Sequence, residues 1–144
     1  METGSHIRLI LGRAAKAVER VDRASIAGTG LNASDFSILE ALLHKGPLPI
    51  NTIGKKVLLT SGSMTAAANR LAEKGLVERV RDTADGRSFH LHLTESGAKL
   101  IQSAYAKHAD NLEKIAEALA PEERGELVRL LKKIGLHADG VVIA

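Results

Sequence analysis

The chain has 144 residues, enough for one domain with its own core, and its 44% apolar and 26% charged residues with a net charge of +3 are ordinary for a globular protein. It holds no cysteine, which excludes disulfides, thiolate catalysis, Cys-based zinc sites and thiol redox sensing together. No apolar run approaches the roughly 20 residues of a membrane span, and Arg8, Arg13 and Lys16 break up the apolar cluster near the start, so no secretory leader is read and a cytoplasmic location is expected.

Residues 7–28 predict a long helix, with Ile7, Ile10, Leu11, Ala14, Val18 and Val21 on one stripe. Gly28 and Gly30 end it. Asn32 followed by Asp35 reads as a second helix start, with Phe36, Leu39 and Leu43 inward and Gly46-Pro47 as the stop. A short third helix over about 49–57 turns Ile50, Ile53 and Val57 inward. Thr60 caps a fourth over about 61–74, which Gly75 terminates. There the period changes from helical to two. LVERV and SFHLHL form a hairpin whose connection, Arg81 to Arg87, is too long for a tight turn, so its tip projects. Thr94 caps a long fifth helix with Ile101, Tyr105, His108, Leu112, Ile115 and Leu119 along a seam suited to another helix. Pro121 opens a sixth, with Leu127, Leu130, Leu131 and Ile134 as its stripe. The fold class is therefore mainly α, six helices with one small β-hairpin.

The fourth helix is the informative one. Met64, Ala67, Ala68 and Leu71 share a face that packs inward. Ser61, Gly62, Ser63, Thr65, Ala66, Asn69 and Arg70 lie opposite, small toward the N-terminus. Hydroxyls, backbone N–H groups and the positive helix end suit phosphate oxygens there. Asn69 matches an adenine edge, and Arg70 a phosphate or a guanine. On the helix alone, an N-capped polar surface helix explains the pattern equally well. The neighbouring elements favour recognition. A short helix, a tight connection and this second helix make a helix-turn-helix, and the hairpin makes it winged. Arg87 at the tip then suits a narrow minor groove, Arg79 and Arg81 suit nearby phosphates, and Asp85 structures the loop. Residues 55–93 hold seven basic and four acidic residues, so the middle third is the electropositive part.

The segment LLTSGSMTAAANRLAEKGLVERVRDTADGRSFHLHLTESG, Leu58 to Gly97, resembles the winged helix-turn-helix of the MarR family of bacterial transcription regulators. The most specific part is Asp85-Gly86-Arg87 followed by Leu91, Leu93, Thr94 and Gly97, which is similar to that family's wing signature. TSGSMT resembles the usual start of its recognition helix. The order of the flanking helices agrees, so the resemblance covers nearly the whole chain. It implies a homodimer on double-stranded DNA, with residues 1–30 and 94–144 as a helical dimerisation region and 31–93 as the DNA-binding region of one compact domain. Each subunit would give one recognition helix and one wing to half of a palindromic operator. Members usually repress genes, and many release DNA when a small lipophilic or phenolic effector binds. Two departures stand out. Ala66-Ala67-Ala68 replaces bulkier or charged residues, which makes base readout sparse. Ala120 stands where a Ser cap is usual, which weakens the sixth helix start by about 1 kcal/mol.

Other chemistry finds little support in the sequence. His90 and His92 share a strand face without a third ligand, so no metal is expected and solvated wing histidines are the plainer reading. His108 on the fifth-helix seam reads as a packed histidine, with effector binding as its alternative. Ser61 and Ser63 lack a His and acid at a triad spacing, so no catalytic residue, cofactor or enzyme activity is expected. The three aromatics Phe36, Phe89 and Tyr105 are too few for stacking on single strands. The rival reading is a winged-helix protein-interaction module that has lost DNA, which the alanine-rich helix keeps open. A DNA-independent small-molecule carrier is a third.

Overall fold

Three side-chain caps set the phase of the helices around the site. Asn32 Oδ1 accepts from the Asp35 N–H at 2.8 Å, Thr60 Oγ1 from the Ser63 N–H at 3.2 Å, and Thr94 Oγ1 from the Gly97 N–H at 3.0 Å. Each satisfies one of the orphan donors of a helix start. In the computed structural model, which describes residues 1–84 and 86–144, the elements run α1 (Gly4–Ala27), α2 (Ala33–Lys45), β1 (Leu48–Pro49), α3 (Ile50–Lys56), α4 (Ser61–Glu73), β2 (Val77–Arg81), β3 (Phe89–Leu93), α5 (Glu95–Ala116) and α6 (Pro121–Asp139). Asp85, expected to shape the wing, lies outside the described residues.

Six helices and a small antiparallel sheet match the expected class, with one addition. The sheet has three strands in the order β1-β3-β2. The hairpin register places Val77 opposite Leu93, Arg79 opposite Leu91 and Arg81 opposite Phe89. On the other edge Leu48 pairs with Leu91 and Pro49 with His90. A two-residue strand that follows Pro47 and contains Pro49 has no period to detect, and an edge is where a strand tolerates proline.

The core gathers α2, α3, α4, the sheet and the middle of α5. Phe36, Ile38, Leu39, Ile53, Met64, Leu71, Leu91 and Ile101 are its largest fully buried apolar side chains. The α5 seam is filled largely within the chain. Its His108 meets the Phe36 ring edge-on at 5.0 Å, and its Tyr105 meets His44 at 4.6 Å. The inward alternation of β3 fades along the wing: Leu91 is buried, Leu93 half-buried and Phe89 exposed. The Arg81 guanidinium covers the Phe89 ring at 5.3 Å, a cation–π contact. At α6, the missing Ser cap is partly replaced, because Glu123 Oε1 accepts from the Ala120 N–H at 2.8 Å.

Two close approaches fix the site. Gly54 of α3 lies so near α4 that a Cβ there would sit 3.3 Å from Met64 Cγ. The turn that follows is tight, and Leu58 takes a left-handed φ of 59° while 91% exposed, a conformation costing about 1 kcal/mol for a side chain with a Cβ. Gly97, in the first turn of α5, lies on the Leu76 backbone. A Cβ on it would collide with the Leu76 carbonyl oxygen and sit 2.8 Å from the carbonyl carbon. That carbonyl also accepts from the Thr94 N–H at 3.1 Å, so the wing's root and α5 share one rigid junction. Gly97→Ala should therefore destabilise the fold by about 2–3 kcal/mol, the usual cost of overpacking. Gly62→Ala, with no atom within 4 Å of the new Cβ, should leave stability unchanged or raise it by up to about 1 kcal/mol. Urea denaturation of both variants checks the contrast.

Candidate nucleic-acid interface

Met64, Ala67, Ala68 and Leu71 are all buried, and this seam decides which side of α4 meets solvent. Ser61, Gly62, Ser63, Thr65, Ala66 and Asn69 are exposed on the other side. Ser61, Gly62 and Ser63 form the first turn, where the helix dipole is positive. The hydroxyls there are already ordered. Thr60 Oγ1 donates to Ser63 Oγ at 3.0 Å, and Thr65 Oγ1 donates to the Ser61 carbonyl at 2.9 Å, which leaves acceptor capacity on the Thr65 oxygen. Ala66 adds no polar atom, so the middle of the helix offers shape and little hydrogen bonding.

Arg70 departs from the expectation. It is half-buried, and its fork faces inward across the helix pair, with Nη2 donating to Asp35 Oδ1 at 2.6 Å and Nε to Asp35 Oδ2 at 3.4 Å. Lys74 Nζ lies 3.9 Å from the same carboxylate. Asp35 is 1% exposed, so a buried charge meets two cations from α4 and its C-cap. The hydrogen bond and charge of Asp35 raise the Arg70 pKa further above its already high value. The sequence pattern placed Arg70 outward by its helical angle alone. The long side chain instead reaches round to a carboxylate 35 positions earlier, which periodicity does not encode. The signal that was available is Asp35 itself, an acid in the first turn of a helix whose neighbours Phe36 and Leu39 are buried.

The wing arginines are exposed, each in a different setting. Arg79 Nη2 donates to Asn69 Oδ1, so two residues expected to act separately form one unit joining β2 to α4. Arg81 Nη1 donates to the Gly86 carbonyl at 2.9 Å and shapes the loop as well as capping Phe89. Asp82 joins the two ends of the connection: its N–H donates to the Ser88 carbonyl at 2.9 Å, and its Oδ1 accepts from the Ala84 N–H at 2.8 Å. Arg87 is exposed near the tip.

Among the described residues the histidines converge on no metal-binding group. His90 Nδ1 is 3.9 Å from Asp82 Oδ2, and no group of three or more His, Asp or Glu side chains converges among the described residues. His108 is buried in a polar chain at the junction of α1 and α5. Its Nε2 is 3.2 Å from Asp22 Oδ1, and its Nδ1 is 2.8 Å from Ser25 Oγ, which also accepts from Asn111 Nδ2 at 3.0 Å. One tautomer satisfies every partner: Nε2–H donates to the carboxylate, and Nδ1 accepts from the serine hydroxyl. Ser25 and Asn111 also line an open groove of about 640 Å³ with Arg20, Val21, Ala24, Lys114 and Ile115.

A capped helix with a small polar outer face, set on a short helix through a tight turn and followed by an arginine-bearing hairpin, defines a winged helix-turn-helix protein. Residues 29–88 match the sequence model of the MarR family. The HTH-type transcriptional regulator MhqR of Bacillus subtilis (strain 168) is 34% identical over 130 residues, covering 90% of each chain. YkoM, an HTH-type transcriptional regulator of the same organism, is 32% identical over 139 residues, 96% of this chain and 90% of its own. Among solved structures, NadR in complex with 4-hydroxyphenylacetate superposes with a TM-score of 0.73 at 26% identity, covering 93% of this chain and 97% of NadR. The chain belongs to the MarR family of transcriptional regulators. The curated relatives are HTH-type transcriptional regulators, and the rival reading of a winged-helix interaction module finds no support among them.

Thr60→Ala removes the one side-chain cap of α4. It should cost about 1 kcal/mol in urea denaturation and fray the turn that carries Ser61, Gly62 and Ser63.

Proposed function

We propose that the protein is a homodimeric, ligand-responsive repressor that grips a palindromic operator in the cytoplasm. Residues 31–93 meet DNA, and residues 1–30 with 94–144 hold the two subunits together. The observation that carries the DNA reading is the exposure of Ser61, Gly62, Ser63, Thr65, Ala66 and Asn69 opposite a fully buried seam. These residues enter the major groove. Arg79 and Arg81 serve phosphates from the wing, and Arg87 enters the adjacent minor groove.

Surface area supports the dimer. The chain exposes 10102 Å², whereas a compact monomer of its 15.3 kDa mass exposes about 7,100 Å². The excess is concentrated in the terminal helices. No residue of α6 is buried, and Leu127, Leu130, Leu131 and Ile134 are 41–46% exposed. Ile7, Ile10, Leu11 and Val18 of α1 are similarly bare, and they share apolar grooves with α6. A patch of this kind exceeds what monomers normally show to water. A second copy covers it.

The groove beside His108 suits an effector. Val21, Ala24 and Ile115 provide an apolar floor, and Arg20, Lys114, Asn111 and Ser25 provide cations and hydrogen bonds. A small lipophilic or phenolic compound carrying an acid group has matching chemistry, and NadR is solved in complex with a compound of that class, 4-hydroxyphenylacetate. A ligand there engages His108 through Ser25, which Asn111 also holds.

Arg87→Ala should weaken binding to the operator several-fold in a gel-shift titration. The wild-type affinity should fall with salt at a slope near −0.9 per neutralised phosphate. An unchanged affinity removes the wing from the mechanism, and a flat salt response removes DNA. Leu131→Glu should convert the dimer to monomer in sedimentation velocity, while a variant that stays dimeric places the interface elsewhere.

A further inference from the structure

The arrangement of Asp35, Arg70 and Lys74 goes beyond exposing a helix face, because it fixes where that face points. α4 rests on α2 and α3 through a seam of which two members are alanines, Ala67 and Ala68. Small side chains give van der Waals contact without interlocking, and they leave rotation and sliding of one helix on another weakly resisted. Among the described residues, α4 is bonded to α2 by the paired bond from Arg70 to Asp35, joined by Lys74 one turn later. A two-point guanidinium–carboxylate bond fixes angle as well as distance. Asp35 is immobile in turn, since its own N–H is held by Asn32 and its side chain is 1% exposed. Its neighbour Phe36 is wedged against His108 of α5, which is bonded to Asp22 and Ser25 of α1. Two consecutive residues of α2 thus tie the groove-facing helix to α5 and, through His108, to α1.

Resting on the DNA-binding reading above, we propose that Asp35 is a positioning residue for sequence readout. Its carboxylate sets the angle at which α4 enters the major groove, and Arg70 serves that clamp and makes no DNA contact of its own. With so few polar groups on the outer face, readout depends on placing Ser63, Thr65 and Asn69 accurately, so a loosened clamp costs specificity before it costs general affinity for DNA.

The competing arrangement has Arg70 leave Asp35 on binding and reach a phosphate or base. The two make opposite predictions for Asp35→Asn. Affinities are measured for wild type, Asp35→Asn, Arg70→Ala, the double variant and Arg70→Lys. Each is titrated with a duplex carrying the palindrome that the wild-type protein selects from genomic fragments, and with a scrambled duplex, at several salt concentrations. Under the clamp, Asp35→Asn and Arg70→Ala each lose about ten-fold or more on the palindrome and little on the scrambled duplex. The double variant is no worse than the weaker single one, and the salt slope keeps its wild-type value in all of them. Arg70→Lys keeps the buried carboxylate partnered and the chain folded, and decides the matter should the other variants unfold. It keeps the charge but loses the fork, so it also loses discrimination at unchanged slope. The proposal is overturned if Asp35→Asn binds the palindrome as tightly as wild type or tighter, if the two losses add, if Arg70→Lys discriminates like wild type, or if Arg70→Ala lowers the slope by about 0.9, the signature of one lost phosphate contact. A wild-type protein that selects no duplex overturns the DNA reading itself, and this proposal with it.

Discussion

The burial of one narrow seam, Met64, Ala67, Ala68 and Leu71, is the constraint on which the other features depend. The inner face of α4 has two alanines, and Gly54 lets α3 come within contact of Met64. Helix pairs approach this closely only where side chains are small, and the approach leaves the opposite face of α4 proud of the surface. The DNA-binding part of the reading depends on how that helix is held. Its first turn holds ordered hydroxyls, its third turn meets the wing through Asn69 and Arg79, and its inward-reaching arginine ties it to α2.

The molecule divides its stability unevenly. Around the helix-turn-helix the packing is complete within one chain, and the sheet root is locked by Gly97 against Leu76. The termini differ. α1 before Val21 and the whole of α6 keep apolar stripes in water, and an isolated chain gains little from ordering them. In a dimer, folding of these helices and association are one event, so the spacing between two reading heads follows from how the stripes interlock. The polar chain from Asp22 through His108 to Ser25 and Asn111 lies at the boundary between the two regions. A ligand that competes for Ser25 or Asn111 acts at that boundary.

Much of this was legible in the sequence, because it is encoded locally. Asn32, Thr60 and Thr94 announce their helices through the chemistry of capping. The inner face of α4 follows from helical angle, and Val77 to Arg81 and Phe89 to Leu93 follow from a period of two with a turn-forming pair between them. The parts that escaped are set by partners far apart in sequence. β1 is two residues with no period, made a strand only by Leu91 and His90 opposite it. Arg70 has a helical angle that points outward, but its side chain is long enough to follow Asp35 instead. Asn69 and Arg79 become a pair only once the wing folds back on α4. Leu58 adopts a left-handed backbone because the turn between α3 and α4 leaves it no other, a demand that usually selects glycine. Phe89 faces outward because it is the first residue of β3, at the wing end of the sheet away from the core.

The central claim is that two copies of this chain present matching helices and wings to one face of a duplex. Selection of genomic fragments by the purified protein, followed by sequencing of the retained DNA, tests it most directly. The account predicts a short palindrome whose half-sites are centred about one helical turn apart, roughly 10 base pairs. Recovery of fragments with no shared symmetric element, or of a single unrepeated half-site, contradicts it.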